Sequence, residues 1–281
     1  MLRKYSNYRN FVDNIQLGGL TAFSAGMVNV MSVIVFFAFT SNVTGHYAIL
    51  AQEIAKGNWY EASIALIWIS LFFFGNFTSN MLIIHGTSRL GQHLAHALPV
   101  MLEIACLIFV GIYLQYFYIE TLQETEILVG AMLFAMGLQN GLTASISNFS
   151  VKTTHLTGLT TDLGILFSMF TKKEYRENKA LVQKAQLLIV IMCCYMAGGI
   201  VSGVVYYSID YYTFYVASLV LCVVILYDYY KLNVTKMIFK AMRLSEVETS
   251  PVPEKSNVPP NTRELHTLNK IHQTSQYAQE T

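Results

Sequence analysis

Residues Lys152 to Gly164 place His155, Asp162 and the threonines Thr153, Thr154, Thr157, Thr160 and Thr161 between two apolar segments of membrane-crossing length. On a helix His155 and Asp162, seven residues apart, share a face, and an intramembrane carboxylate beside an imidazole is the usual material of a proton relay. If the helix begins near Thr157-Gly158, its free N–H groups and dipole favour an anion, with the Thr157 and Thr161 hydroxyls as further ligands. A shorter version of the same device occurs earlier, in Thr40-Ser41-Asn42-Val43-Thr44-Gly45-His46. There Asn42, Thr44 and Gly45 are the candidate ligands, and His46 and Glu53 repeat the spacing of seven. Glu53 fits a solvated place on an interfacial connector. Asp162, followed by the apolar run Leu163 to Phe170, fits a membrane-embedded role.

The elements that must position these groups follow from composition. The chain has 281 residues, of which 54% are hydrophobic and 12% charged, against roughly 25% charged in soluble domains. It reads as an all-α, polytopic membrane bundle. A net charge of +1 with no basic face excludes a nucleic-acid binder. Cys106, Cys193, Cys194 and Cys222 lie in apolar runs without metal-ligand spacing and read as small buried hydrophobes. No cofactor or metal is implied, and neither a nucleophile elbow, a His-Glu-x-x-His helix nor a phosphate loop marks an enzyme.

A hydrocarbon layer of about 30 Å takes about 20 helical residues, and six apolar runs reach that length. They are Leu17 to Thr40, Tyr60 to Ile84, Ala97 to Ile119, Ile127 to Ser147, Leu187 to Tyr207 and Tyr211 to Tyr227. Thr44 to Lys56 and His155 to Phe170 are helix-compatible but too short or too polar to span. Seventeen of the 18 Lys and Arg fall in the N-terminus, in alternate loops or after Tyr230, leaving Lys56 alone on the other side. Both termini are therefore expected in the cytoplasm. The organisation expected is residues 1–16 as a cytoplasmic N-terminus leading into an uncleaved first span, 17–119 and 127–230 as two three-span units, 231–244 as a basic interfacial helix and 245–281 as a disordered tail. Lipids and a small solute are the expected partners, and a second copy of the chain is admissible.

Laying Thr44-Gly45 over Thr157-Gly158 brings Gly26-Met27-Val28-Asn29 near Gly137-Leu138-Gln139-Asn140 with a slip of two residues. Once a longer inner loop is allowed in the second copy, Gly75 to Ser79 of span two aligns with Gly198 to Ser202 of span five. Each unit reads as span, polar break, short helix, span, span. Three crossings invert the second unit, the plan of many secondary transporters. Gly18, Ala22, Ala25, Asn29 and Ser32 form one small, polar face, and Gly130, Gly137, Gly141 and Ala144 form another with Asn140 at its edge. These faces are expected to meet each other, bringing Asn29, Gln139 and Asn140 inside. Glu103 is the one charge deep in a span and must be protonated, paired or facing water. It joins His155 and Asp162 as a candidate for proton coupling.

The run Ala135-Met136-Gly137-Leu138-Gln139-Asn140-Gly141, followed by Lys152-Thr153-Thr154-His155-Leu156-Thr157-Gly158 and Thr161-Asp162-Leu163-Gly164, resembles the signature of the YoaK-like family of bacterial multi-pass membrane proteins. Asn42-Val43-Thr44-Gly45 is similar to that family's first motif. The resemblance runs from about Leu17 to Tyr227. The family is a domain of unknown function, so the resemblance implies residence in the bacterial cytoplasmic membrane and supplies no substrate. Two departures stand out: Asn29 where an Asp is expected, and no basic residue around Thr143 to Ser145.

The function expected is a secondary transporter or permease for a small polar or anionic solute, with both breaks at a central site. The alternative is a non-transporting scaffold or sensor in which the same faces only pack and the basic loop Lys172 to Lys184 binds a partner.

Overall fold

The computed structural model describes residues 11–147 and 149–227. Among them the chain forms α1 (Phe11–Phe36), α2 (Val43–Lys56), α3 (Trp59–Leu90), α4 (Gln92–Tyr116), α5 (Leu122–Ile146), α6 (Leu156–Met169), α7 (Lys173–Glu177) and α8 (Lys179–Ile209). A single 3-10 turn, Asp210–Tyr212, follows, and residues 213–227 are helical again, as α9. No strand occurs among the described residues. The expected interfacial helix at 231–244 and tail at 245–281 lie outside them, as do residues 1–10.

Five helical runs are long and apolar enough to cross a membrane: Phe11–Phe36, Trp59–Leu90, Leu94–Tyr116, Leu122–Ile146 and Lys179–Tyr227. The sequence led us to expect six. The difference lies in the last run, whose 49 residues would reach roughly 73 Å at 1.5 Å per residue, over twice the hydrocarbon thickness. The 3-10 turn divides it, with Asp210 at φ 54°. Helix ends also differ from the apolar runs. Five of the helices overrun them: α1 begins at Phe11, α3 continues to Leu90, and α4 begins at Gln92, α5 at Leu122 and α8 at Lys179, because backbone hydrogen bonding continues through polar residues where hydropathy stops. Side-chain caps fix several starts: Asn58 accepts from Glu61 N, Thr121 from Glu124 N and Asn178 from Ala180 N. The short helices α2 and α6 are both present, with 14 residues each.

The core is polarised in the membrane sense. Leu17, Met27 and Met31 of α1 and Leu128, Met132 and Met136 of α5 are fully buried, whereas Phe73, Phe74 and Phe77 of α3 are exposed.

Two helix crossings dominate, and neither is the one expected. The small faces of α1 and α5 do not chiefly meet each other; α1 packs on α8, and α5 on α3. A Cβ at Gly26 would run into the Tyr195 carbonyl and one at Gly198 into that of Phe23; one at Gly137 would run into the Phe72 carbonyl and one at Gly75 into that of Phe134. Backbones this close require glycine. Phe23, Gly26 and Asn29 stand in the same steps of three as Phe134, Gly137 and Asn140, and Tyr195 and Gly198 in the same step as Phe72 and Gly75. The helices of each pair run parallel: Gly18 meets Ile191 and Met27 meets Ser202, while Gly130 meets Trp68 and Ser145 meets Asn80. The contact between α1 and α5 is smaller. It includes the buried bond from Gln139 Nε2 to the Thr21 carbonyl, 2.6 Å, and Gly18 touches Val151 just beyond α5, so α1 and α5 run in opposite senses.

Candidate functional site

Each break begins with a phenylalanine in the left-handed region: Phe37 at φ 54° just after α1 and Phe149 at φ 59° just after α5. Each is then held by an asparagine of the preceding helix. Asn29 Oδ1 accepts from the backbone N–H groups of Thr40 and Ser41, both at 3.1 Å. Asn140 Nδ2 donates to Thr154 Oγ1, and its Oδ1 accepts from Thr153 Oγ1 at 3.3 Å. Thr40 and Thr153 are fully buried. The Asn29 bonds supply partners for non-helical backbone that is buried, whereas those of Asn140 tie the hydroxyls of two threonines.

The short helices start where the breaks end. Asn42 caps α2, its Oδ1 accepting from Gly45 N at 3.2 Å, and its amide lies against Gly45. His155 occupies the same place before α6, with its ring over Gly158. A side chain at either glycine would displace the capping residue, which explains the matched Thr-Gly pairs. His155 makes no capping hydrogen bond, so it leaves the first N–H groups of α6 to other acceptors.

Both helix starts open on one cavity of about 510 Å³, lined from the first break by Ser41, Asn42, Val43 and Thr44 and from the second by Lys152, Thr154, His155, Leu156 and Thr157. Asn29 and Asn140 form part of its wall, and so do Tyr195 and Phe72. The Tyr195 hydroxyl lies 3.2 Å from Ser41 Oγ. The volume suits a small ligand. No Asp or Glu is among the lining residues, whereas a lysine, a histidine and two helix N-termini are, so the cavity favours negative charge.

The structure thus brings together Asn29, Asn42, Thr44, Asn140, His155 and Thr157 of the expected site. Gly45 and Gly158 lie beneath the capping residues. Gln139 is spent on the Thr21 carbonyl, and the Thr161 hydroxyl turns back onto the Thr157 carbonyl at 3.0 Å. Asp162 does not line the cavity. It pairs with Lys184 of α8 at 2.9 Å, with both side chains about half exposed, an arrangement worth about 0–1 kcal/mol. The expected His155 and Asp162 pairing at one site is therefore met by His155 alone. Glu103 is fully buried on α4 away from the cavity, and neither oxygen has a hydrogen-bond partner among the described residues. Glu53 is not solvated as expected. Hydrogen bonds from Lys56 at 2.6 Å and Asn58 at 3.0 Å hold its carboxyl below the usual range, the Lys56 bond foremost, and lock the turn between α2 and α3. His46 bonds the Phe39 carbonyl at 2.8 Å and packs its ring on Trp68; burial pushes its imidazole below the usual value despite that bond.

Sequence reasoning missed Lys152, Ser41, Thr154, Tyr195, Phe72 and Asn76 as lining residues. Tyr195 and Phe72 each stand three residues before a crossing glycine, and that shared offset was the available signal.

A helical bundle with several membrane-length apolar helices and a polar cavity at two interrupted segments is the class of protein these features define. Residues 17–227 match the family described as "Protein of unknown function (DUF1275)", and the chain belongs to that family, in agreement with the resemblance carried by its motifs. No curated protein and no solved structure matches the chain.

Proposed function

We propose that the protein is a secondary transporter for a small anion, residing in the bacterial cytoplasmic membrane with both termini in the cytoplasm. Its architecture in this reading is two inverted units of three spans, with α2 and α6 as re-entrant helices and α8 and α9 as separate spans. The exchange of partners between α1 on α8 and α5 on α3, the opposite senses of α1 and α5, and the paired Asn29 and Asn140 support that symmetry. The distribution of Lys and Arg supports the orientation.

The observation that carries the proposal is the cavity: two helix N-termini, Lys152 and His155 converge on it, and no carboxylate does. Half-helix N-termini aimed at an anionic group near the repeat interface are the arrangement secondary transporters use. Any proton coupling falls to His155, the one of the three expected relay groups that lines the cavity.

The test is thermal stabilisation and proteoliposome uptake with nitrate, acetate and inorganic phosphate. At least one of these anions should stabilise the protein and be taken up. Lys152→Ala should weaken its binding about 10- to 100-fold, as loss of a charge-assisted bond of about 1.5–3 kcal/mol requires. Stabilisation by uncharged polyols alone, with none by these anions, would refute the anion assignment.

A further inference from the structure

A second cavity, of about 380 Å³, lies along the seam between α3 and α5, with Asn76, Asn80, His96, Gly141, Ser145 and Phe149 in its wall. It shares two residues with the central cavity, Asn76 and Ala144. The two chambers adjoin at these residues. The seam there is tight, since a Cβ at Gly141 would lie 2.8 Å from the Asn76 carbonyl oxygen.

The same positions on the other seam, between α1 and α8, have a different chemistry. By the correspondence of the crossings, Asn76 and Asn80 answer to Gly199 and Gly203, and Gly141, Ala144 and Ser145 to Val30, Val33 and Ile34. Every polar side chain among these on the α3–α5 seam is replaced by glycine or an aliphatic group. A Cβ at Gly199 would already lie 2.8 Å from Val30 Cγ2. One seam is therefore lined for water at three positions where the other carries no polar side chain.

Asn80 points the same way. It sits within a membrane-length helix and is exposed, and Ser145 Oγ donates to its Oδ1 at 2.9 Å. A primary amide turned to lipid would be costly, whereas one facing a water-filled chamber is not. The wet seam lies at the ends of α3 and α5 that lead into Arg89 and Lys152, the side read above as cytoplasmic.

We infer that the second cavity is the cytoplasmic vestibule of the solute path, with Asn76 and Ala144 as the constriction between it and the central site. The inference rests on the transporter reading for its purpose, but not for its accessibility. In this reading the protein is open toward the cytoplasm through the α3–α5 seam, while on the opposite seam Val30 packs against Gly199.

The experiment uses the full chain with Cys106, Cys193, Cys194 and Cys222 replaced by Ser, carrying Ser145→Cys or Asn80→Cys. A charged, membrane-impermeant methanethiosulfonate is applied to right-side-out and inside-out vesicles, with Lys173→Cys marking the basic-loop side. Both seam cysteines should be modified from the side that modifies Lys173→Cys, and at least tenfold more slowly from the other. Modification from the opposite side, or no modification of either where the marker reacts, overturns the vestibule. In proteoliposomes Ser145→Leu, which fills the second cavity beside the constriction and lies outside the central one, should cut anion uptake at least tenfold while stabilisation by the same anion persists. Unchanged uptake overturns the path through this seam. If no anion is taken up by the unmodified protein, the transporter reading fails, while the labelling still decides whether the chamber is open to cytoplasmic water.

Discussion

Gly26→Ala and Gly137→Ala are each expected to destabilise the protein by about 3 kcal/mol, at the upper end of the overpacking range, and the corresponding Val substitutions to abolish the folded protein. The reason is what the added carbon meets. At Gly26 it meets the carbonyl of Tyr195, and at Gly137 that of Phe72. A backbone carbonyl inside a helix cannot rotate aside as a side chain could, so the whole helix must retreat, opening the α1–α8 or α3–α5 crossing along its length. Against a total stability of about 5–15 kcal/mol one methyl is severe and three carbons are excessive. Gly203→Ala is the control within the same fold. Nothing lies within 4 Å of its Cβ position, so the intrinsic helix preference for Ala, about 1 kcal/mol, should show as unchanged or raised stability. Thermal unfolding in detergent reads all three, and a Gly26→Ala protein as stable as the parent would mean that α1 and α8 do not approach as described.

The second large effect is expected at the asparagines that hold the breaks. Asn29→Ala removes the acceptor of two backbone N–H groups, one of them on the fully buried Thr40. Leaving buried donors unsatisfied costs about 1–3 kcal/mol each, and the first break should reorganise to recover partners, moving Ser41, Asn42 and the start of α2 out of the cavity wall. Stabilisation by the anion found to bind should fall at least tenfold. Asn29→Asp keeps the accepting oxygen and should preserve the break. This accounts for the departure noted in the sequence, where an Asp is expected and Asn29 stands, because either residue can supply the acceptor. Equal loss in Asn29→Ala and Asn29→Asp would show that the amide nitrogen, and not the oxygen, is what matters. Asn140→Ala should loosen the second break less, because the partners it frees are the hydroxyls of Thr153 and Thr154 and not backbone N–H groups.

The features legible in the sequence were those set by local physics. Polar residues interrupting hydrocarbon-length runs announced the breaks, and Asn29 and Asn140 stood out because an amide on a small-residue face needs an interior partner. The Thr-Gly pairs were visible as a repeat, although their cause, a capping side chain lying over the glycine, required coordinates. The slip of two residues has a simple origin: the stretch from Asn140 to Thr157 is two residues longer than that from Asn29 to Thr44, and the helices themselves stay in register. Features that depended on which helix packs on which were not legible. The small faces of α1 and α5 looked complementary to each other, yet each meets the glycine-bearing helix of the other half. Asp162 shared a calculated face with His155, but the neighbour that decides its role is Lys184 on α8, and no spacing within α6 could reveal it. Tyr195 and Phe72 looked like ordinary apolar span residues until the crossings placed them in the cavity wall.

The central claim is that the starts of α2 and α6, remote in sequence, face one another across a single cavity of about 510 Å³. Intramolecular cross-linking tests it most directly. In the protein lacking its four native cysteines, Asn42→Cys and Thr157→Cys are combined and treated with a short bis-maleimide, and protease digestion between α4 and α5 then reports whether the halves stay joined. The account predicts efficient joining, and protection of both cysteines by a bound anion. Halves that separate after digestion, although each single cysteine reacts readily with the reagent, would contradict it.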